Sequence, residues 1–327
     1  MQRISISCAI ALTLVNVVGA GAALAAQGGY PERPVRLVIP QSPGGASDTV
    51  GRVVAQKLTE RFGQQFIADN RPGATGNIGA ELVAHASPDG YTLLLTGPNL
   101  VTSPSLYARI GFDPVKDFAP VSQLAMSPNV WLVHPGFAAR NLKELIEIAK
   151  GKPRQIDFSS SGLASSQHLA GELLNVVSGI QLVHVPYKGG GPALIDLIAG
   201  RVPVMVSSLP SAMPHIKTAR VRALAVTSAK RSSAMPDLPT VTEATGIPGY
   251  DATTWQGFVF PAATPRRIVQ RMADETIHAL GMNDVRNRLR DLGYEPVAST
   301  PAGFAAYIKS ELANWSRVIK QAGIKAE

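Results

Sequence analysis

Three loops hold the residues whose types and spacing suit chemistry with an anion: Pro40-Gln-Ser-Pro-Gly-Gly-Ala-Ser-Asp48, Ser159-Ser-Ser-Gly-Leu-Ala-Ser165 and Pro186-Tyr-Lys-Gly-Gly-Gly-Pro192. Each follows an apolar stretch that reads as a strand and precedes a run with helical periodicity. A helix start offers unpaired backbone N–H groups and a partial positive charge. Glycine lets a ligand approach the backbone, and serine adds hydroxyl donors. Such loops suit a carboxylate or a phosphate. Any one of them is also explained as a βα turn with a serine cap. Three on one chain favour an anion pocket.

Enzyme motifs are missing. The sequence holds no G-x-x-x-x-G-K-[ST], no G-x-G-x-x-G, no G-x-S-x-G and no H-E-x-x-H. The histidines His85, His134, His168, His184, His215 and His278 show no metal-ligand spacing. His168 falls in the first turns of a helix beside the serine loop, where it serves either a ligand or the helix itself. Asp48 reads equally as a first-turn acid favoured by the helix N-terminus and as an acceptor in a cleft. A lone carboxylate without a partner acid, metal or activated nucleophile is poor evidence for catalysis.

The elements that must carry these loops alternate. Val35–Ile39 reads as a buried strand. Val50, Val53, Val54, Leu58 and Phe62 mark one helical face, closed by Gly63. Residues 66–68, a helix with Ile78, Leu82 and Val83, and a strand at 91–96 continue the pattern. It resumes with strands at 130–133, 156–158, 182–185, 202–206 and 221–226, the first four separated by helices. Asn141 with Glu144 resembles a capping box. Residues 236–249 read as a crossing segment, 255–260 as a strand, and two helices follow. The last opens with Thr300 and Pro301. This is the grammar of α/β layers with mostly parallel sheets flanked by helices.

The N-terminus reads as an export signal. A basic start at Arg3, an apolar run over 4–18 and the small-residue site Ala23-Leu-Ala25 predict a signal peptide over 1–25, cut near Ala25 or Ala26. The remaining ~300 residues suit two domains. Apolar residues make up 45% and charged residues 17%, which excludes a disordered chain. The net charge of +8 is scattered, with no tract or motif for nucleic acid, and favours anionic small molecules. The single cysteine, Cys8, lies in the export segment, so the mature chain has no disulfide and no thiolate metal site.

Several segments together resemble the extracytoplasmic solute-binding proteins of tripartite tricarboxylate transporters, the Bug-type receptors. They are Pro43-Gly-Gly-x-x-Asp48, Asn70-Arg-Pro-Gly-Ala74, Gly76-Asn-Ile-Gly79 and Pro88-Asp-Gly-Tyr-Thr92. Further along come Ser165-x-x-His-Leu169, Val185-Pro-Tyr-Lys-Gly-Gly-Gly-Pro192, Arg222-Ala-Leu-Ala-Val-Thr-Ser228 and Pro239-Thr-Val-x-Glu243. The resemblance runs from about Tyr30 to the C-terminus. It implies a two-lobed periplasmic binding protein of the Venus-flytrap type. Such a receptor closes over a small organic anion, usually a carboxylate, and delivers it to a membrane permease. Lobe one would be 26–125 plus 246–327, and lobe two 126–245. By position it points to Ser42, Gly44, Gly45 and Asp48 in the first loop, and to Ser160, Ser161, Ser165 and His168 in the second. Tyr187 and Gly189 follow in the third, with Ser207 and Ser208 at a later strand end. Gln41, Leu163 and Ala164 depart from the family's usual residues near the expected pocket. The expectation is a monomeric, periplasmic receptor that needs no cofactor and no metal and binds no nucleic acid. The alternatives are a secreted serine-dependent hydrolase, with His168 as its base, and a ligand receptor read by a membrane signalling partner.

Overall fold

The computed structural model describes residues 29–43 and 46–324; the expected signal peptide and the Gly44–Gly45 pair lie outside them. The first half of the chain gives β1 (Val35–Ile39), α1 (Ala46–Phe62), β2 (Phe66–Asn70), a 3-10 turn (Ala74–Gly76), α2 (Asn77–Ala84), β3 (Thr92–Thr96) and α3 (Asn99–Leu106). A sixteen-residue strand β4 (Phe118–Val133) leads into α4 (Leu142–Gly151), β5 (Asp157–Ser160), α5 (Ser166–Ser178), β6 (Val183–Pro186), α6 (Gly190–Ile198), β7 (Val204–Ser208), α7 (Leu209–Lys217) and β8 (Arg222–Val226). The chain ends with α8 (Val241–Thr245), β9 (Thr253–Pro261), α9 (Arg266–Gly281), α10 (Asn283–Asp291), β10 (Glu295–Pro296) and α11 (Pro301–Ala322).

The strands repeat one order twice. The first set runs β2-β1-β3-β9-β4 and the second β6-β5-β7-β4-β8. In each set the first three strands are parallel, and the fourth runs against its neighbours on both sides. Four of the five strands therefore share a direction, as mostly parallel sheets require. The reversed strand of the second set, β4, is also the last strand of the first. The molecule is a two-lobed α/β protein.

β4 joins the lobes because it serves both. Phe118–Pro128 pairs with β9, and Asn129–Val133 pairs with β7 and β8. At the changeover three backbone segments are tied by side chains. Asn129 N–H donates to Thr227 Oγ1 at 2.9 Å, and Thr227 Oγ1 donates to Ala252 O at 2.9 Å. Asn129 Nδ2 donates to the same carbonyl at 3.1 Å. These groups are buried, where most polar atoms are paired.

Alternation along the strands builds the core on both sheet faces. In β1, Val38 enters one apolar layer, while Val35, Leu37 and Ile39 enter the opposite one against α1. In β4, Trp131 and Val133 join the layer of Val38, and Val130 and Leu132 face the other way against Leu194 and Leu209. The Val38 layer runs through both lobes and is roofed by α11, which presents Phe304, Ile308 and Trp315.

Three expectations about elements need correction. The strand predicted at 130–133 is the end of β4. Its earlier part was masked by Pro120, Ser122, Gln123, Ser127 and Pro128, and shifts of register after Pro120 and Gln123 accommodate this polar, proline-bearing stretch. Helices α3 and α7 were not anticipated, because Pro104 and Pro214 inside them read as breakers. After β9 come three helices rather than two, since Met282 adopts an extended conformation that parts α9 from α10.

Candidate functional site

A cavity of about 280 Å³ opens between the two strand sets. Lobe one supplies Ser47 from the first turn of α1, Thr75 from the 3-10 turn, Asn99 and Thr102 from α3, and Thr254 and Gln256 from β9. Lobe two supplies Ser161, Ser165, Ser166 and Gln167 from the β5–α5 loop and helix start, and Ser208 from the start of α7. Four helices thus begin at this cavity: α1, α3, α5 and α7. Helix starts gather at the carboxyl ends of strands, the usual ligand side of an open α/β sheet. No Lys, Arg, Asp or Glu is among the described residues that line it. The chemistry on offer is neutral: hydroxyls, carboxamides and the N–H groups of first helical turns, whose dipoles favour negative charge.

The β5–α5 loop is the most elaborate part. Ser165 caps α5: its Oγ accepts from His168 N at 3.1 Å and donates to Gly162 O at 2.8 Å. His168 Nδ1 in turn accepts from Ala164 N at 3.0 Å. Ala164 takes a φ of 61°, a left-handed conformation that a non-glycine residue rarely adopts. Ser161 Oγ donates to Gln167 Oε1 at 2.8 Å, closing the loop over the first turn. Across the cavity floor Ser166 Oγ meets Thr254 Oγ1 at 2.7 Å, a direct bond from lobe two to lobe one.

The structure brings Ser161, Ser165 and Ser208 together on the cavity wall and places the other sequence candidates differently. Ser160 is fully buried behind the loop, with Oγ 2.7 Å from His184 Nε2. His168 is 4% exposed, and its ring stacks on His184 with centroids 3.7 Å apart. Burial, with His168 alongside, lowers His184 to about 3. Tyr187 and Gly189 back the serine loop instead of lining the cavity: Gly189 N donates to Ser161 O at 2.9 Å, and Tyr187 OH donates to Asp196 at 2.7 Å. Ser207 is buried beneath Ser208. Ser42 is exposed. Asp48 is buried and engaged by Arg52 at 2.9 Å and Asn70 Nδ2 at 2.9 Å, on the side of α1 that faces Asp284 and Arg288 across a separate groove. Gly44 and Gly45 lie outside the described residues.

Sequence reasoning missed Asn99, Thr102, Thr254 and Gln256. Thr96-Gly-Pro-Asn99 is a fourth loop of the same kind, a strand followed by Gly, Pro and a polar residue, and could have been grouped with the other three. Thr254 and Gln256 carried a period-2 polar signal at the start of an otherwise apolar strand.

The comparisons with known proteins place the chain in a family. The family model described as tripartite tricarboxylate transporter family receptor matches residues 50–324. A protein of Pseudomonas sp. strain P51, from the tcbD-tcbE intergenic region, is 39% identical, with 91% of this chain and 88% of that protein covered. An R. palustris protein solved with adipate is 37% identical, with a TM-score of 0.81 over 90% of this chain and 99% of that one. The periplasmic binding protein BugD is 33% identical, with a TM-score of 0.78 over 91% of this chain and all of the other, 100%. With its two lobes and its cavity of helix starts, the chain belongs to the receptor family of the tripartite tricarboxylate transporters.

Proposed function

We propose that this protein is a periplasmic receptor that captures a small carboxylate between its lobes and hands it to the membrane permease of a tripartite tricarboxylate-type transporter. The carrying observation is the convergence of four helix starts on a cavity whose described lining bears no charged side chain. Neutral, preorganised N–H and O–H donors suit a carboxylate without a counter-charge. The adipate held by the R. palustris relative supports the ligand class. On this reading the lobes are 26–125 with 246–327, and 126–245, the signal peptide is removed near Ala25 or Ala26, and the mature protein acts as a monomer. Ser161, Ser165 and Ser208 contact the ligand. Asp48, His168 and Tyr187 hold the loops that do.

The receptor does no chemistry on its ligand. A hydrolase would need a base on an accessible serine. Among the described residues the histidine whose ring bonds to a serine is His184, and its partner Ser160 is fully buried. Mass spectrometry of ligand retained by the purified protein, followed by a thermal-shift panel of mono-, di- and tricarboxylates, tests the reading. A ligand at 100 times its Kd should stabilise by about 2.7 kcal/mol. A panel with no stabilising carboxylate, or turnover of simple esters, would overturn it.

A further inference from the structure

Thr254 and Gln256 stand two residues apart in β9, so their side chains leave the same face of the strand, and both belong to the cavity wall. Thr254 is already engaged by Ser166. Gln256 is not in the same position: it is 1% exposed, and its Oε1 has no hydrogen-bond partner. A buried acceptor without a donor is costly, and a native structure keeps one where something else completes it. The surrounding backbone offers nothing. The β3–β9 ladder sets Thr96 opposite Gly257, and beyond it Gly97 packs so tightly that a Cβ there would stand 2.9 Å from Trp255 O. The described lining holds no acid that would neutralise an ammonium group. Asn99 Nδ2 on the same wall is likewise buried without a partner, and a hydroxyl, which both donates and accepts, is the neutral group that fits.

We infer that Gln256 is the specificity-determining residue of the cavity. Its Oε1 accepts from a hydroxyl on the carbon chain of the ligand, so the protein selects hydroxy-substituted carboxylates over unsubstituted ones of the same length. The inference rests on the carboxylate-receptor reading and narrows it.

Titration calorimetry on the wild-type protein compares succinate, glutarate and adipate with their 2-hydroxy and 2-fluoro forms. Fluorine resembles a hydroxyl in size but donates no hydrogen bond. At the best-fitting length the 2-hydroxy form should bind about tenfold tighter or more, and the 2-fluoro form should bind like the unsubstituted acid. In Gln256→Met the hydroxy preference should shrink to about twofold or less. Equal binding of all three forms by the wild-type protein overturns the inference. So does a preference that survives in Gln256→Met, or a uniform loss for every ligand, which would mean that the carboxamide donates to the carboxylate. If the variant does not fold, the fluorinated ligands decide the matter on the wild-type protein. Absence of binding by every acid defeats the receptor reading itself, whereas binding without preference defeats this inference alone.

Discussion

Ser165 and His168 close one helical turn from both sides: the serine hydroxyl accepts from the histidine N–H at 3.1 Å, and the histidine ring accepts from the N–H of Ala164, the residue before the serine, at 3.0 Å. The motif Ser-x-x-His thus works as a variant of the capping box, with imidazole in place of a carboxylate. It holds Ala164 in its left-handed conformation and aims the next N–H groups of α5 at the cavity.

This arrangement separates stability from binding. Ser165→Ala should cost about 1 kcal/mol of stability through the lost cap. Ser165→Asp keeps a good cap but puts a negative charge on the cavity wall. It should retain the thermal midpoint while weakening carboxylate binding about a hundredfold, which is about 2.7 kcal/mol. His168→Leu leaves Ala164 N–H without its acceptor and should cost about 1–3 kcal/mol. Thermal denaturation and calorimetric titration on the three variants check these outcomes. Unchanged affinity in Ser165→Asp would place the anion elsewhere.

Lys188 is the single cation of the three loops read from the sequence, yet it is exposed and absent from the cavity wall. Lys188→Ala should therefore change the Kd by less than about twofold, in keeping with the small worth of exposed charges. Raising the salt concentration should weaken binding only slightly, because screening acts on exposed charges more than on buried donors. Titrations of this variant, and of the wild-type protein at low and high salt, provide the measurement. A tenfold loss in either would replace the helix-start account with an ordinary ion pair.

Much of the fold was legible because period and punctuation agree in this chain. The face of α1, the Asn141–Glu144 cap of α4 and the Thr300–Pro301 start of α11 all stand where spacing predicts. Legibility failed where proline and polar residues sit inside elements, as in β4, α3 and α7, because there tertiary packing outweighs local preference. The site was half legible for a related reason. Loop composition picks out Ser161 and Ser165, and the strand end picks out Ser208. A sequence does not reveal that Tyr187 turns to Asp196 or that Asp48 turns to Arg52, since those choices depend on partners distant or ambiguous in sequence. Gln256 was hidden by its strand, where Thr254 and Gln256, alternating with apolar residues, read as the exposed face.

His184 gives the fold a pH dependence whose sign is fixed. Its folded pKa of about 3 lies below its ordinary value of 6.5, chiefly because burial disfavours the charged ring. Between those values the unfolded chain binds a proton that the folded protein refuses. Stability is therefore lost as pH falls from about 6.5 toward 3, and the contribution is fully present above that window. Asp251 and Glu311, raised first by burial, act in the opposite sense: the folded protein takes up their protons earlier on acidification and gains from doing so. A direct comparison isolates the histidine. His184→Gln keeps a polar partner for Ser160, and its thermal midpoint should fall less between pH 7 and pH 5 than that of the wild-type protein. Equal falls would show that His184 does not carry this dependence.

The tie of Asn129, Thr227 and Ala252 leads to the last prediction, which concerns motion. β4 changes partners at Asn129, and β9 begins just after Ala252, so both strand crossings pass through this one buried cluster. Bending there moves the lobes relative to each other about the apolar layer they share. The Ser166–Thr254 bond spans the lobes at the cavity floor and is made only when they are near. A ligand that contacts both walls binds the closed arrangement better and shifts the population toward it. Small-angle scattering should then show the radius of gyration falling when a carboxylate is added to saturation. Thr227→Val removes the hydroxyl that accepts from Asn129 and donates to Ala252. It should cost about 1–3 kcal/mol of stability, because it strands buried polar groups on two crossings. The drop in radius should persist in this variant, since the ligand, not the tie, drives closure. A radius that stays constant in the wild-type protein at saturating ligand would refute closure about this cluster.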